Sequence, residues 1–160
     1  MTETTNTAAM LDTPYDLTTK QGIFDHVATA LMKQGHKSVT DSNKSCHYRS
    51  PTGSKCAVGH LIPDAGYSAT FEGCSFPTPE TFGMARPYMA RKMTEVRNAL
   101  DPRIPRTDEM MRFLRDLQCC HDTPPTTPWR ADWEDAMRSL ARHEGLSTDI
   151  FDTMAAESAQ

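Results

Sequence analysis

Apolar residues recur every three or four positions in four stretches of this chain, the spacing that places them on one face of an α-helix. The first predicted helix begins near Thr18 and ends at Gly35, and the starts of the others are marked by Pro87, Thr107 and Thr127–Pro128. The predicted buried stripes are Ile23, Val27 and Leu31; Met89, Met93, Val96 and Leu100; Met110, Leu114, Leu117 and His121; and Trp129, Trp133, Ala136, Met137 and Leu140.

The stretch between the first two of these helices has the pattern of a β-hairpin. Pro51 stands at the second turn position, where its fixed φ suits a type I turn, and Gly53 stands where a left-handed residue closes a three-residue loop. Pairing Ser50 with Ser54 then sets the register of both strands. The residues expected on the core face are Cys46, Tyr48, Cys56 and Val58, and those on the opposite face are His47, Arg49, Lys55 and Ala57.

The same register argues against a disulfide between Cys46 and Cys56. They would be diagonal neighbours about 7 Å or more apart, whereas a disulfide needs its Cα atoms within about 7 Å. The chain has five cysteines, an odd number that is typical of free thiols in a reducing compartment. We therefore expect both cysteines to be reduced and buried.

These elements together predict an α+β protein. Residues 17–155 are expected to form a single, mostly helical domain, with four or so helices packed around a small antiparallel β-hairpin or sheet. Shorter helical starts are expected at Thr78–Pro79 and at Ser147. Residues 1–16 are rich in Thr and lack periodicity, so they are expected to form a flexible arm.

Composition narrows the class of protein. Hydrophobic residues make up 38% of the chain and charged residues 24%, and no apolar run approaches the ~20 residues of a membrane span. The net charge of −4 provides no overall basic field, so binding to nucleic acid is not expected. Because Met1 to Thr7 has neither the basic start nor the apolar run of a secretory signal, we expect a cytoplasmic location.

Several short runs of residues carry a resemblance. They are Ile23 to Ala28 with Gln34–Gly35; Cys46, Tyr48 and Arg49 with Lys55 to Gly59 and Leu61 to Asp64; and Leu114 to Gln118 with His121–Asp122 and Trp133. In these runs, between Lys20 and about Ser147, the chain resembles an uncharacterised family of small phage and bacterial proteins. The resemblance implies a phage or prophage setting without an assigned activity. The chain departs from the family pattern at Ser50 and at Cys119–Cys120, which weakens any role for those positions.

The outer face of the predicted hairpin is the best candidate for a ligand-binding site. Arg49 would lie directly across from Lys55, with His47 beside them, and two facing cations destabilise a strand pair unless something screens them. Arg offers a bidentate fork to an oxyanion and Lys a point charge, so the group could bind a phosphate or an acidic side chain. The alternative is a solvated face whose cations pair with Asp41 or Glu72.

Catalytic and metal sites are weaker alternatives. Cys56 as nucleophile and His121 as base would follow the order of a cysteine hydrolase, but Asp122 is poorly placed to orient His121 because adjacent helical residues point about 100° apart. Cys46, Cys56 and His60 have side chains that bind zinc, yet no pair of cysteines has zinc-finger spacing. No cofactor is expected.

Basic residues cluster around the third helical segment at Arg86, Arg91, Lys92, Arg97, Arg103 and Arg106. Acidic residues are interspersed with them, which favours a solvated helix face over a nucleic-acid surface. The favoured function is therefore that of a phage or mobile-element accessory protein that binds a host or phage protein without catalysis of its own. The alternatives are a module that binds a phosphorylated or acidic ligand, and the Cys56 hydrolase.

Overall fold

The computed structural model describes residues 9–39, 47–124 and 129–160, and helices make up 60% of this part of the chain. Six α-helices occur in it: α1 Lys20–Gln34, α2 Pro79–Met84, α3 Pro87–Ala99, α4 Asp108–Asp122, α5 Trp129–Glu144 and α6 Asp149–Ser158. Three short 3-10 helices connect α1 to α2, at Val58–Leu61, Asp64–Gly66 and Ala69–Phe71. None of the helices in these residues is long and apolar enough to cross a membrane.

The predicted α+β class is wrong, because the described residues contain no β-strand. The predicted turn and register are nevertheless present in part. The Ser50 N–H donates to the carbonyl of Ser54 at 2.8 Å, Gly53 has a φ of 89°, and Arg49 and Lys55 form an isolated antiparallel bridge. The pairing stops after this one bridge, so neither a hairpin nor a sheet forms in the part of the chain that the structure describes.

The next rung of the ladder would join the N–H of Tyr48 to the carbonyl of Cys56, but the Cys56 carbonyl accepts from the N–H of His60 at 3.1 Å. Glu72 accepts from the backbone N–H groups of Tyr48 and Arg49 at 3.1 and 3.0 Å. The Gln34 side chain pairs with both the N–H and the carbonyl of Lys55, at 2.8 and 2.9 Å. Beyond Cys56 the chain turns into a 3-10 helix. Because the N–H of Tyr48 and the carbonyl of Cys56 already have these partners, the ladder ends at the Arg49–Lys55 bridge.

Local signals set most of the helix starts correctly. Pro87 opens α3, and the Thr107 side chain caps α4 by accepting from the N–H of Met110. The prediction for α1 is off by one residue, since Thr19 and not Thr18 accepts from the N–H of Gly22. The predicted start at Thr127–Pro128 lies outside the described residues.

The ends of the helices agree less evenly with the prediction. Gly35 ends α1 with a φ of 74°, as predicted. The segment after Ser147 is longer than the last turn that its sequence predicts, because it forms the ten-residue helix α6.

The core lies where α1 and α4 meet the 3-10 helix Val58–Leu61, with α5 packed on α4 and α6 packed on α1. The predicted stripe of α1 is fully buried, as is most of the stripe of α4. Four large aromatic side chains join the layers. Trp129 stacks on Trp133 at 5.1 Å between ring centroids, and Phe151 of α6 contacts both Trp133 and Phe24 edge to face.

Of the segment predicted to be an arm, residues 9–16 are described, and they run along the surface of the helices. The Leu11 N–H donates to the buried Asp101 carboxylate at 2.7 Å, and Arg103 donates to the carbonyl of Leu11. The Tyr15 hydroxyl lies 2.9 Å from that of Thr29 in α1. These contacts join the start of the described chain to both α1 and the loop after α3.

Candidate functional site

Arg49 and Lys55 converge on one carboxylate. Arg49 Nη2 lies 2.9 Å and Lys55 Nζ 3.1 Å from the same atom, Oδ1 of Asp64. Hydrogen bonding from Lys55 and the positive charges of Lys55 and Arg49 lower the pKa of Asp64. The two facing cations predicted from the register are thus screened by Asp64, a residue to which the sequence analysis gave no role in this site. The predicted partner Asp41 lies outside the described residues.

The Arg49 side chain is held on three sides. Its Nη2 also donates to the carbonyl of Ile62 at 3.0 Å, and its guanidinium lies 4.5 Å from the ring centroid of Tyr67. The Tyr67 hydroxyl donates to Glu72, which also accepts from the backbone N–H of Arg49. The Nε of Arg49 is buried without a hydrogen-bond partner among the described residues. The charge of the guanidinium is compensated by the Tyr67 ring and by the two oxygens that contact Nη2, the Ile62 carbonyl and Oδ1 of Asp64.

His47, the third member of the predicted anion site, contacts Glu72. Its Nδ1 lies 3.4 Å from Oε2 of Glu72. The same oxygen accepts a hydrogen bond from the backbone N–H of Tyr48. The structure therefore brings Arg49 and Lys55 together on Asp64, while His47 contacts a different carboxylate.

The candidate nucleophile Cys56 is fully buried. Burial raises the pKa of its thiol well above the ordinary value, and the nearby carboxylates of Asp122 and Glu72 act in the same direction. Its Sγ accepts from the backbone N–H of Gly59 at 3.3 Å. Because a thiolate is the reactive form of cysteine, these surroundings suppress nucleophilic chemistry at Cys56.

The candidate base His121 is also buried, with both ring nitrogens engaged. Its Nε2 accepts from the backbone N–H of Ser38 at 3.1 Å, so the ring proton lies on Nδ1, which is 2.7 Å from Oδ1 of Asp122. The prediction that Asp122 could not orient His121 is wrong, because Asp122 is the last residue of α4 and its side chain turns back onto the ring. The ring holds Ser38 in place and has no lone pair left for a substrate.

The zinc site has no support in the described residues, which contain no group of three or more His, Cys, Asp or Glu side chains placed to hold a metal ion. Cys46 lies outside them. Cys56, Cys74, Cys119 and Cys120 are free. The Nε2 of His60 forms a hydrogen bond with Oε1 of Gln34 at 3.2 Å. Burial lowers the pKa of His60 to about 3.

A cavity of about 240 Å³ opens beside the turn. Its lining comes from residues 47–48 and Cys56, from residues 72–76 after the 3-10 helix Ala69–Phe71, and from α4. The polar side chains that line it include His47, Glu72, Gln118 and Asp122. Their hydrogen bonds go largely to the protein itself, since Gln118 accepts from the N–H of Val58 and donates to Asp122.

A second surface, which sequence reasoning missed, lies where α2 ends and α3 begins. The side chains of Met84 and Tyr88 are 82% and 64% exposed. Arg86 and Arg91 are exposed beside them, and Lys92 Nζ lies 5.0 Å from the centroid of the Tyr88 ring. We call these five residues the α2–α3 corner. Pro87 was the available signal in the sequence for this surface. It interrupts the helical pattern between Met84 and Tyr88, so neither side chain belongs to a predicted buried stripe.

The other arginines of the predicted basic cluster hold loop backbone or a buried carboxylate in place. Arg103 forms an ion pair with the buried Asp101 carboxylate at 2.9 Å, and Arg106 donates to the carbonyls of Asp101, Leu100 and Ile104. Arg97 donates to the carbonyl of Arg106. The cations of this cluster that are left without such contacts in the described residues are therefore those of the α2–α3 corner.

No protein-family model, curated protein or solved structure matches this chain.

Proposed function

We propose that this chain is a phage or mobile-element accessory protein that works by binding a protein partner through the α2–α3 corner. The observation that carries the proposal is the exposure of Met84 and Tyr88 side by side with basic residues. The phage setting is supported by the resemblance in sequence to small phage and bacterial proteins.

Exposed apolar side chains of this size favour a protein partner. Tyr, Met and Arg are enriched in the buried centres of protein interfaces, where they supply contact area together with polar contacts. Met84 offers no hydrogen bond to a nucleic acid, and Tyr88 is the single aromatic ring in the corner, which falls short of the stacking platform that binds single strands.

The charge of the corner indicates an acidic partner surface. Among the described residues, no ion pair involves Arg86, Arg91 or Lys92. The chain as a whole carries a net charge of −4, so this local excess of positive charge opposes the overall sign. Complementary charge steers association and selects partners. The partner we propose is therefore a protein that offers acidic side chains around an apolar pocket.

The test places a photo-crosslinking amino acid at position 88 in the bacterial host of the gene. We expect an adduct with a protein, and we expect the recovered partner to bind the purified chain with an affinity that falls as salt rises. Arg91→Glu should weaken this binding at least tenfold. Arg130→Glu is the matched control, because Arg130 is also an exposed helical arginine with no ion pair among the described residues.

The proposal fails if position 88 yields no protein adduct or crosslinks to nucleic acid. Equal losses for Arg91→Glu and Arg130→Glu would also contradict it, because they would show an effect of net charge and not of the corner.

A further inference from the structure

Arg49 and Lys55 form a pair of cations whose backbones the fold holds in place independently of the carboxylate between them. We propose that this pair is a binding site for a phosphate group, and that Asp64 occupies it as an internal competitor. The site is separate from the α2–α3 corner, so its failure would leave the proposed function untouched.

The backbone of each cation is fixed by a side chain from another element. Glu72 accepts from the N–H of Arg49, and Gln34, the last residue of α1, pairs with the N–H and the carbonyl of Lys55. The Arg49 guanidinium is held further by Tyr67 and by the carbonyl of Ile62. The Arg49 guanidinium and the backbone of Lys55 therefore keep their places across the Arg49–Lys55 bridge whether or not Asp64 is present. The Lys55 ammonium stays within reach of Arg49, and an anion between the two charges relieves their repulsion.

Asp64, by contrast, is easily displaced. Its side chain is 81% exposed, whereas those of Arg49 and Lys55 are 16% and 26% exposed. It stands first in the three-residue 3-10 helix Asp64–Gly66, and both cations contact the same oxygen, Oδ1. A rotation of this exposed side chain frees both cations.

The geometry favours phosphate over another carboxylate. A phosphate monoester carries a charge of about −1.5 to −2 near pH 7 and has three acceptor oxygens. It can contact Arg49 and Lys55 through different oxygens, whereas Asp64 presents a single negative charge through one. The same chemistry could come from a free phosphate compound or from a phosphorylated side chain of a partner, and the experiment separates these sources.

The experiment measures binding by calorimetric titration with two probes, inorganic phosphate and a short phosphoserine peptide, against sodium chloride of equal ionic strength. Asp64→Asn should bind at least one probe more tightly than the wild type, by up to about fivefold, since an exposed ion pair stabilises by up to about that factor. Adding Arg49→Met to Asp64→Asn should abolish the binding. The tighter probe identifies the source of the phosphate.

Glu80→Gln is the matched control. It removes the same charge and frees Arg112 from an exposed ion pair at 2.8 Å, but among the described residues no second cation contacts the Glu80 carboxylate. The proposal is overturned if Glu80→Gln binds as tightly as Asp64→Asn, if the Arg49→Met double variant still binds, or if neither probe binds Asp64→Asn more tightly than the wild type. Should Asp64→Asn melt below the wild type, Asp64→Ser replaces it in the same comparison.

Discussion

Gly59 marks the closest approach of two backbone segments beside the candidate anion site. A β-carbon built on it would lie 2.0 Å from the carbonyl oxygen of Tyr48. Gly59→Ala must therefore push the 3-10 helix Val58–Leu61 away from the turn. We expect a loss of about 2 kcal/mol or more in the free energy of unfolding, measured by urea denaturation.

The matched control for this prediction is Gly83→Ala. Gly83 lies in α2, where a β-carbon would meet no other atom within 4 Å, and alanine favours a helix over glycine. The stability of this variant should stay level or rise slightly. Equal stability of Gly59→Ala and the wild type would mean that the turn and the 3-10 helix are not in contact.

Single residues show where sequence reasoning succeeded and where it failed. The burial of Tyr48 and Cys56 followed from their alternation about the turn, because that alternation depends only on local geometry. The placement of Ala57 on the opposite face was wrong, since Ala57 is fully buried where the chain leaves the turn for the 3-10 helix Val58–Leu61. The partner of Arg49 and Lys55 did not follow. Asp64 is nearby in sequence, but it reaches the cations only because the chain turns back through the 3-10 helix after Cys56, and that turn has no strong local signal.

At the scale of elements, Gln34 joins the end of α1 to the turn. Its amide pairs with the N–H and the carbonyl of Lys55. We expect Gln34→Ala to lower the free energy of unfolding by about 1–3 kcal/mol, because two backbone groups of Lys55 lose their partners. The amide of Lys55 should then exchange its hydrogen faster in native-state exchange measured by NMR.

A similar side-chain clamp elsewhere in the chain provides the control. The amide of Gln21 pairs with the N–H and the carbonyl of Ser147 at 2.9 and 3.2 Å. Gln21→Ala should speed exchange at Ser147 and leave Lys55 unchanged. Faster exchange at Lys55 in both variants would indicate general destabilisation and would argue against a specific role for Gln34.

The difference between helix and hairpin predictions has a physical origin at this scale. Helix starts such as Thr107 and Pro87 are decided by hydrogen bonds and dihedral angles within a few residues, and these were predicted correctly. A hairpin needs its backbone groups to pair with each other. Here the N–H of Tyr48 donates to Glu72 and the carbonyl of Cys56 accepts from His60, and no residue near the turn predicts either bond.

For the whole molecule, three histidines that are buried or half-buried set the response to acid. Burial lowers the pKa of His26, His60 and His121 from the ordinary value of 6.5. The unfolded chain therefore binds more protons than the folded chain as the pH falls below 6.5. Stability is fully present above that pH and is lost on acidification, by up to about 1.4 kcal/mol per pH unit for each histidine.

The measurement is the free energy of unfolding from urea titrations between pH 7.5 and pH 5. We expect a steady decline below pH 6.5. In His60→Gln the free energy of unfolding should decline less steeply with falling pH, by the amount that corresponds to the uptake of about one proton. His143→Gln is the control, because it removes a histidine whose side chain is 80% exposed. A flat profile in the wild type would contradict the assignment of neutral imidazoles to the interior.

The amphipathic stripes predicted the core of the whole molecule well, since Leu31, Leu114, Trp133 and their neighbours are buried as expected. Its surface was less predictable. The exposure of Met84 and Tyr88 depends on how α2 and α3 meet. A count of basic residues could not separate the arginines that hold loop carbonyls, Arg103 and Arg106, from those of the α2–α3 corner.

The stacked pair Trp129 and Trp133 also gives the protein a built-in optical probe. These are the two tryptophans of the chain, and the ring centroid of His121 lies 5.6 Å from that of Trp129. All of the indole emission therefore originates at the contact between α4 and α5, beside an imidazole that quenches more strongly once it is protonated. Fluorescence will report acidification of this interior directly, and it will remain silent to a ligand at Arg49 or at the α2–α3 corner unless binding there alters the core.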